Sequence, residues 1–257
     1  MTTQHSTPSD SVVAVPQQRS SFGRFVRSHG QQLAIVGVLL LVWLIFLIGA
    51  PDTFLSSNIY AAYMSTIPFF AVVAIPLTLV IIAGEMDLSF PSIMAMGMVA
   101  FSAVLLRTDN PWLSLIAALA VGFLIGLSNG LIVVKLAIPS IVVTIGTQFF
   151  WRGAVLILTG GSGVSLVSVK NTTFHSLMVG RIGGYLPMQM VWAIIMAMAM
   201  WLLLNRHRLG AHVYLTGDNE QSARLMGVNV DRTRMMVFAI VGVAAVLGGV
   251  LSSLEVS

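Results

Sequence analysis

The chain has 257 residues, of which 57% are hydrophobic and only 9% charged, and its formal net charge is +4. Soluble domains carry about 25% charged residues, so this composition excludes an ordinary soluble protein and indicates one embedded in a lipid bilayer. The sequence lacks cysteine, which excludes disulfides, thiol nucleophiles and cysteine-based metal sites. It also lacks the GxxxxGK[ST] pattern, so we expect no P-loop nucleotide site in this chain.

Residues 1–30 are rich in Ser, Thr, Gln and Pro and contain no apolar run, which is typical of a disordered tail. They lack the basic start, short apolar core and cleavage site of a secretory signal. Arg19, Arg24 and Arg27 stand just before the first apolar run. Because basic residues favour the cytosolic side of a membrane, we expect the N-terminus in the cytosol.

Residues 31–257 alternate long apolar runs with polar stretches, and a helix needs about 20 residues to cross a bilayer core. We therefore predict an all-α fold, a polytopic membrane helix bundle with about seven spans. The shortest run is the third, which we expect to be broken or partly re-entrant. The predicted spans are 33–50, 67–83, 92–106, 112–134, 141–158, 188–204 and 235–252.

Several prolines lie in or beside these spans. Proline removes a backbone donor, and in a bilayer the opened backbone must be satisfied by protein or by a water-filled cavity. The pattern predicts either broken helices that hold a transported solute or simple packing kinks. The prolines concerned are Pro68, Pro76, Pro91 and Pro139.

Residues 205–234 form a polar stretch between the sixth and seventh runs. A cytosolic N-terminus followed by six crossings returns this stretch to the cytosol, and its five arginines agree with the positive-inside rule. Basic residues cluster near the ends of spans, so the high pI indicates topology and not nucleic-acid binding. Residues 159–187, rich in Gly and Ser, are expected as a long loop on the opposite surface.

The same stretch predicts a short helix over 219–226. Asp218 and Gln221 have the spacing of a capping box, and Gly227 suits a helix C-terminus. Glu220 and Arg224 stand four residues apart, which predicts an ion pair. Such a helix fits a groove on a soluble partner, or it lies on anionic lipid.

A second polar stretch, GEMDLSFPS at residues 84–92, separates the second and third runs. Two carboxylates, Glu85 and Asp87, need solvent or partners near a membrane boundary. Ser89 is placed to cap the following helix, with Pro91 in its first turn. Two interpretations stay open: a turn that lines or braces a translocation path, and a loop whose acids face water.

Arg152 lies inside the fifth apolar run. An arginine at the centre of a span costs about 2.5–3.5 kcal/mol on insertion scales, so it should face protein or water. We predict that it pairs with Asp87 or Glu85. The alternative is an arginine whose long side chain reaches the membrane interface.

The glycines of the fourth run, Gly122, Gly126 and Gly130, have GxxxG spacing, which predicts close helix packing within the chain more than a dimer interface. The methionines at 188–200 are typical of core or lipid-facing filler. The five histidines lack the spacing of metal ligands. We therefore expect no metal site, no cofactor and no catalytic residue.

Three segments in order resemble the permease subunits of bacterial ABC importers for monosaccharides, the ribose/xylose/rhamnose-type group. Residues 84–92 are similar to the family's G-x-[IM]-D-L-S turn, although Glu85 and the Phe-Pro pair replace commoner residues. Residues 130–153 resemble its long G-x-I-P-x-[IL]-V-T-[LI]-G-T…R-G run. Residues 216–228 are similar to its cytosolic loop, G-x-N-x-x-A-A-R-x-x-G-[IV].

This resemblance implies a multi-pass subunit of the cytoplasmic (inner) membrane without an ATPase site of its own. It implies a second permease subunit, P-loop ATPase subunits on a cytosolic coupling helix, and a periplasmic or surface binding protein that delivers a monosaccharide. The implied ATPase-coupling residues are Gly217, Asn219, Glu220, Ala223, Arg224, Leu225, Met226 and Gly227. The implied residues of the translocation path or its bracing are Glu85, Asp87, Ser89, Pro139, Thr144, Thr147 and Arg152.

Two other classes of function are weaker. A stand-alone secondary transporter or channel for a small polar solute would need ion-coupling groups, and only Glu85, Asp87 and Arg152 qualify. A membrane enzyme would need a nucleophile, metal or cofactor site. Family members normally continue with further membrane segments after the region matching residues 235–257, so we expect this permease domain to be shortened or partial.

Overall fold

The computed structural model describes residues 30–256, without the side chain of residue 31, so nearly all of the predicted tail lies outside the described residues. The described chain is helical apart from one two-stranded hairpin and the connecting loops. The helices are α1 Gly30–Gly49, α2 Pro51–Phe54, α3 Ser57–Ile82, α4 Phe90–Thr108, α5 Pro111–Leu136, α6 Ser140–Thr159, α7 Thr173–Val179, α8 Met188–Arg206, α9 Arg208–Asp218, α10 Glu220–Leu225 and α11 Val230–Val256.

Seven helices within residues 30–256 are long and apolar enough to cross a membrane, namely α1, α3, α4, α5, α6, α8 and α11. The predicted all-α bundle of seven spans is therefore confirmed. The largest difference in boundary is at α3, which begins ten residues before the predicted start, at Ser57. Polar Ser57 and Asn58 obscured this start in the sequence.

The chain divides between Ile59 and Tyr60 into two compact units. In the described part of the first unit, the side chains of α1 are almost all exposed, and the ring of Phe46 stacks on that of Phe54 with 5.3 Å between centroids. An apolar helix with exposed side chains is suited to lipid. All sites described below lie in the second unit.

Helix α11 is the most buried span of the second unit and packs against α5. A Cβ on Gly122 would lie 2.5 Å from the carbonyl oxygen of Gly242, and one on Gly126 would lie 2.3 Å from that of Phe238. The backbones therefore approach closely because side chains are absent at these positions. The prediction that the GxxxG glycines serve packing inside the chain is confirmed.

Helix α4 is unbroken over 19 residues, or about 28 Å, so the expected interruption of the third run is wrong. It begins earlier than predicted, with Pro91 in its first turn, where a missing donor costs nothing. Helix α3 likewise continues through Pro68 and Pro76. Pro139 precedes α6 as its N-cap residue.

Residues 160–187 are more ordered than the predicted loop. They contain a short 3-10 helix, Val167–Val169, then α7, and a hairpin of β1 Arg181–Ile182 and β2 Leu186–Pro187. Phe174 of α7 is buried, with its ring 4.9 Å edge-on from that of Trp112. Phe174 and Met178 join the buried core with Leu166 and Val169. Their helix has only seven residues, too short for its apolar spacing to stand out in the sequence.

Candidate coupling surface and transport path

Helix α10 is shorter than predicted, and its cap differs. The Oδ1 of Asn219 accepts a hydrogen bond from the amide of Ser222 at 2.8 Å, whereas Asp218 is the last residue of α9. The predicted capping role of Asp218 is therefore wrong, because Asn219 has the extended backbone that a cap needs. The amides of Gly227 and Val228 close the other end as a Schellman motif, which requires the positive φ of +81° at Gly227.

The apolar residues of α10 face in two directions. Ala223 is fully buried against Val228 and Val230, so it cannot meet a partner as the resemblance implied. Leu225 and Met226 are instead 85% and 60% exposed. Ala223 faces inward because the chain after Gly227 folds back beneath it. The exposed pair is the apolar surface that α10 offers.

Ion pairs join α10 to α11 and to the turn at 84–89. Arg224 contacts Glu220 at 3.0 Å and also pairs with Asp231. Arg234 contacts Glu220 at 2.8 Å, and its Nε lies 2.6 Å from Glu85 Oε1. The charges alternate in sign along this chain of five residues, which we call the charge ladder. The predicted Glu220–Arg224 pair is confirmed, and Arg234 and Asp231 were not foreseen.

The charge ladder shifts the ionisation of its own members. Burial raises the pKa of Glu220, but hydrogen bonds and charge from Arg224 and Arg234 outweigh it, and the net pKa lies below the ordinary value. Hydrogen bonds to Asp231 and then to Glu220 raise the pKa of Arg224. Both shifts favour the charged forms of Glu220 and Arg224.

The turn at 84–89 is held by a buried polar network. Asp87 is 5% exposed, and its Oδ1 accepts hydrogen bonds from the amide of Ser89 at 2.8 Å and from its hydroxyl at 2.6 Å. The same hydroxyl accepts a bond from Nδ2 of Asn129 in α5 at 2.7 Å. Ser89 precedes α4 but makes no side-chain cap, so the predicted capping role is wrong. Its hydroxyl is already engaged by Asp87 and Asn129.

This network contains more hydrogen-bond acceptors than donors. Asp87 Oδ2 and Asn129 Oδ1 are buried without a hydrogen-bond partner in the described part of the chain. Asp87 lies between two spans, and burial raises the pKa of its carboxyl, which the bonds from Ser89 offset only in part. Glu85 is also buried, so the interpretation of 84–92 as a loop with water-facing acids is wrong. Asn129 was missed, although an amide inside an apolar run is itself a signal.

The turn is also tied to α6. The amide of Met86 donates to Oγ of Ser140 at 3.0 Å, and Oγ1 of Thr144 donates to the carbonyl of Ser140 at 2.8 Å and to that of Met86 at 3.4 Å. Within residues 30–256 the hydroxyl of Thr147 donates only to the carbonyl of Thr144, at 3.3 Å. Thr144 therefore braces the turn, while Thr147 does not reach it.

Gly217 is the contact point between α9 and α3. A Cβ at Gly217 would lie 1.7 Å from the carbonyl oxygen of Ile82, the last residue of α3. Helix α9 was not predicted, although Leu209, Val213 and Thr216 repeat along one helical face. The C-terminal end of α9 contacts the start of the turn at 84–89, where Gly84 adopts a φ of +80°.

Arg152 does not pair with Glu85 or Asp87, so that prediction is wrong. It is exposed and takes part in no ion pair within residues 30–256. Glu85 instead forms an ion pair with Arg234, because α11 lies beside the turn. Arg152 and Gln148 of α6 line a cavity of about 210 Å³ with the first turns of α4.

A larger cavity, of about 680 Å³, is lined by α4, the last residue of α6, residues 162–167 and the end of α11. Ala95 lines both cavities, so they adjoin. Hydroxyl groups dominate the polar lining of the larger one, and its apolar lining includes Met98 and Leu166. The residues that supply the hydroxyls are Ser102, Thr159, Ser162, Ser165, Ser252 and Ser253. We call the two cavities together the α4–α6 seam.

Comparison with known proteins agrees with this architecture. The family described as "Branched-chain amino acid transport system / permease component" matches residues 59–257. The Ribose import permease protein RbsC of Escherichia coli strain K12 is 31% identical over 231 residues, which cover 88% of this chain and 70% of the relative. No solved structure matches the chain.

A second relative is the Autoinducer 2 import system permease protein LsrC of Yersinia pestis strain Pestoides F. It is 31% identical over 235 residues, which cover 91% of this chain and 65% of the relative. The match to the family extends from the third residue of α3 to residue 257 and so includes the turn, the charge ladder and the seam. The chain is a multi-pass membrane protein and belongs to this family of transport-system permease components.

Proposed function

We propose that the chain is the membrane-spanning subunit of an ATP-driven importer in the cytoplasmic membrane, with its N-terminus in the cytosol. It moves a ribose-like monosaccharide inward and performs no chemistry itself. The observation that carries the proposal is the unit of α9 and α10: α10 is ion-paired to α11 and exposes Leu225 and Met226, and α9 contacts the end of α3 through Gly217. The names of the relatives, import permeases for ribose and autoinducer 2, favour a small solute.

In this proposal a separate P-loop ATPase binds α10. Leu225 and Met226 enter an apolar groove on the ATPase, in the manner of a helix that lays anchor residues into a partner. A second permease subunit completes the membrane pair, and a binding protein delivers the sugar on the other side. The ladder residues Glu220 and Arg224 hold α10 in place and are not its main contacts.

The turn at 84–89 supports transmission from α10 to the membrane helices. Arg234 links α10 to Glu85, and Gly217 packs on the end of α3. The turn at 84–89 also forms hydrogen bonds to Asn129 of α5 and to Ser140 at the start of α6. A displacement of α10 therefore reaches α3, α4, α5 and α6 together, which suits a rigid-body change of access.

The α4–α6 seam supports passage of a polyhydroxylated solute. Serine and threonine hydroxyls both donate and accept hydrogen bonds and so match sugar hydroxyls. The larger cavity, about 680 Å³, is in the range of small-ligand sites. Arg152 and Gln148 continue the polar lining toward the turn. An ion-coupled transporter is disfavoured because Glu85, one of its few candidate coupling groups, is already paired.

We expect the double variant Leu225→Asp/Met226→Asp to lose association with the ATPase. Two buried charges in an apolar groove oppose docking, while neither residue supports the fold, since both are exposed. Co-purification of the ATPase with the tagged permease should fall at least tenfold.

The matched control is Ile182→Asp/Tyr185→Asp, which places two charges on exposed residues of the hairpin. That variant should retain the ATPase fully. Unchanged association of the Leu225/Met226 variant would place the ATPase elsewhere and remove the main support for the proposed function.

We expect Ala95→Phe to block uptake while the ATPase remains bound. Ala95 lines both cavities of the seam, so a phenyl ring there narrows the passage between them. Sugar uptake by cells or proteoliposomes carrying the complete importer should fall more than tenfold. Ala199→Phe, on an exposed position of α8, serves as the control and should transport normally. Normal uptake by Ala95→Phe would show that the solute does not cross through the seam.

A further inference from the structure

A cleft separate from the α4–α6 seam lies where α9 and α11 begin. Its volume is about 400 Å³. Four of its lining residues are arginines or histidines, and the cleft has no acidic residue in its lining. These four are His207, Arg208 and His212 from the start of α9, and Arg232 from the first turn of α11. The function proposed above makes no use of this cleft.

The charge of the cleft is not neutralised by the protein. Arg208 and Arg232 take part in no ion pair within the described residues, whereas Arg224 and Arg234 of the charge ladder are both paired. The nearest acid in sequence, Asp231, is bound to Arg224. Two guanidinium groups from different helices therefore face one cavity without counter-charge.

The walls of the cleft suit a phosphate group. A guanidinium offers parallel N–H donors that match phosphate oxygens in a bidentate manner. The starts of α9 and α11 both lie at the cleft, and helix starts add positive potential. Leu209 and Met236 supply an apolar side to the same cavity, which suits the glycerol or acyl part of a lipid.

We propose that this cleft binds the phosphate group of an anionic ligand, supplied either by a phospholipid headgroup or by a soluble phosphate ester. Arg208 and Arg232 form the primary contacts, and His207 and His212 add donors. Because the two arginines belong to α9 and α11, which flank α10, a bound phosphate bridges the two supports of the coupling unit. The placement of the cleft on the cytosolic side rests on the topology in the proposed function. The binding of phosphate does not depend on that topology.

The test uses the full purified chain in neutral detergent. Native mass spectrometry and thermal shift are recorded with phosphatidylglycerol, with zwitterionic phosphatidylcholine, and with inorganic phosphate. We expect retention of one anionic ligand and a raised melting temperature with phosphatidylglycerol, with inorganic phosphate, or with both, and neither effect with phosphatidylcholine. Response to the lipid alone assigns a headgroup, and response to phosphate assigns a soluble source.

Arg208→Gln/Arg232→Gln should weaken this binding at least tenfold. The control, Arg107→Gln/Lys135→Gln, removes the same charge from basic residues outside the cleft and should change binding less than twofold. If the first variant does not fold, Arg208→Lys/Arg232→Lys keeps the charge and should weaken binding several-fold through loss of the bidentate geometry. Equal losses in both charge-removing variants, or no retention of either phosphate probe, would overturn the proposal. The assay contains no ATPase or sugar, so its failure leaves the proposed transport function standing.

Discussion

Replacement of Asp87 by alanine is expected to abolish sugar uptake while the ATPase still docks on α10. Asp87 holds Ser89 through two hydrogen bonds, and Ser89 holds Asn129 of α5. Alanine leaves the buried amide and hydroxyl of Ser89 without their acceptor, at a cost of about 1–3 kcal/mol for each unsatisfied group. The turn would then no longer move with α5. Uptake should fall to background in proteoliposomes, and co-purification of the ATPase should be unchanged.

Asp87→Asn is the matched control for this experiment. Its side-chain oxygen can still accept both bonds from Ser89, and the substitution replaces the buried, unpartnered Oδ2 of Asp87 by an uncharged group of the same size. Asp87→Asn should therefore retain most uptake. Normal transport by Asp87→Ala would mean that the turn does not brace the path, and loss of transport in both variants would point to the charge itself.

The raised pKa of Asp87 has a consequence for stability. The native carboxyl holds its proton above the ordinary pKa of 3.8, so between that value and the raised pKa the folded state binds more protons than the unfolded state. Stability from this group is therefore greatest at low pH and falls as pH rises through the native pKa. A thermal-unfolding series against pH should show this fall in the wild type, and Asp87→Asn should remove it.

Features set by neighbouring residues could be predicted from the sequence. The Glu220–Arg224 pair and the end of α10 at Gly227 depend on groups a few residues apart, so the spacing of these residues in the sequence predicts both. The seven spans follow from length and apolar composition in the same way. The facing direction of Ala223 could not be predicted, because it depends on the chain folding back after Gly227.

Partners distant in sequence were beyond prediction. The sequence shows that Glu85 and Asp87 need partners. It does not show which helix lies beside them, and the helices of Arg152, Arg234 and Asn129 were all possible neighbours. The close packing of α5 on α11 through glycines determines which of these helices is adjacent. The pairing of Glu85 with Arg234 therefore depends on a tertiary contact and not on a motif.

Gly217→Ala is expected to uncouple ATP hydrolysis from transport. The added Cβ would lie 1.7 Å from the carbonyl oxygen of Ile82, which is backbone and cannot turn aside. The end of α9 must therefore move away from α3, and the displaced helix carries α10 with it. ATP-driven uptake should fall at least tenfold, and the melting temperature should decrease. The ATPase should still co-purify, because Leu225 and Met226 remain exposed.

Gly146→Ala separates this contact from the general effect of the substitution. Gly146 lies within α6, and a Cβ there would meet nothing within 4 Å. Alanine in place of glycine inside a helix is favourable by about 0.5–1 kcal/mol, so this control should be slightly stabilised and fully active. Gly217 also lies within a helix and receives the same benefit. If stability and coupling decrease in Gly217→Ala but not in Gly146→Ala, the decrease results from the contact with Ile82. Wild-type uptake by Gly217→Ala would show that α9 does not act through the end of α3.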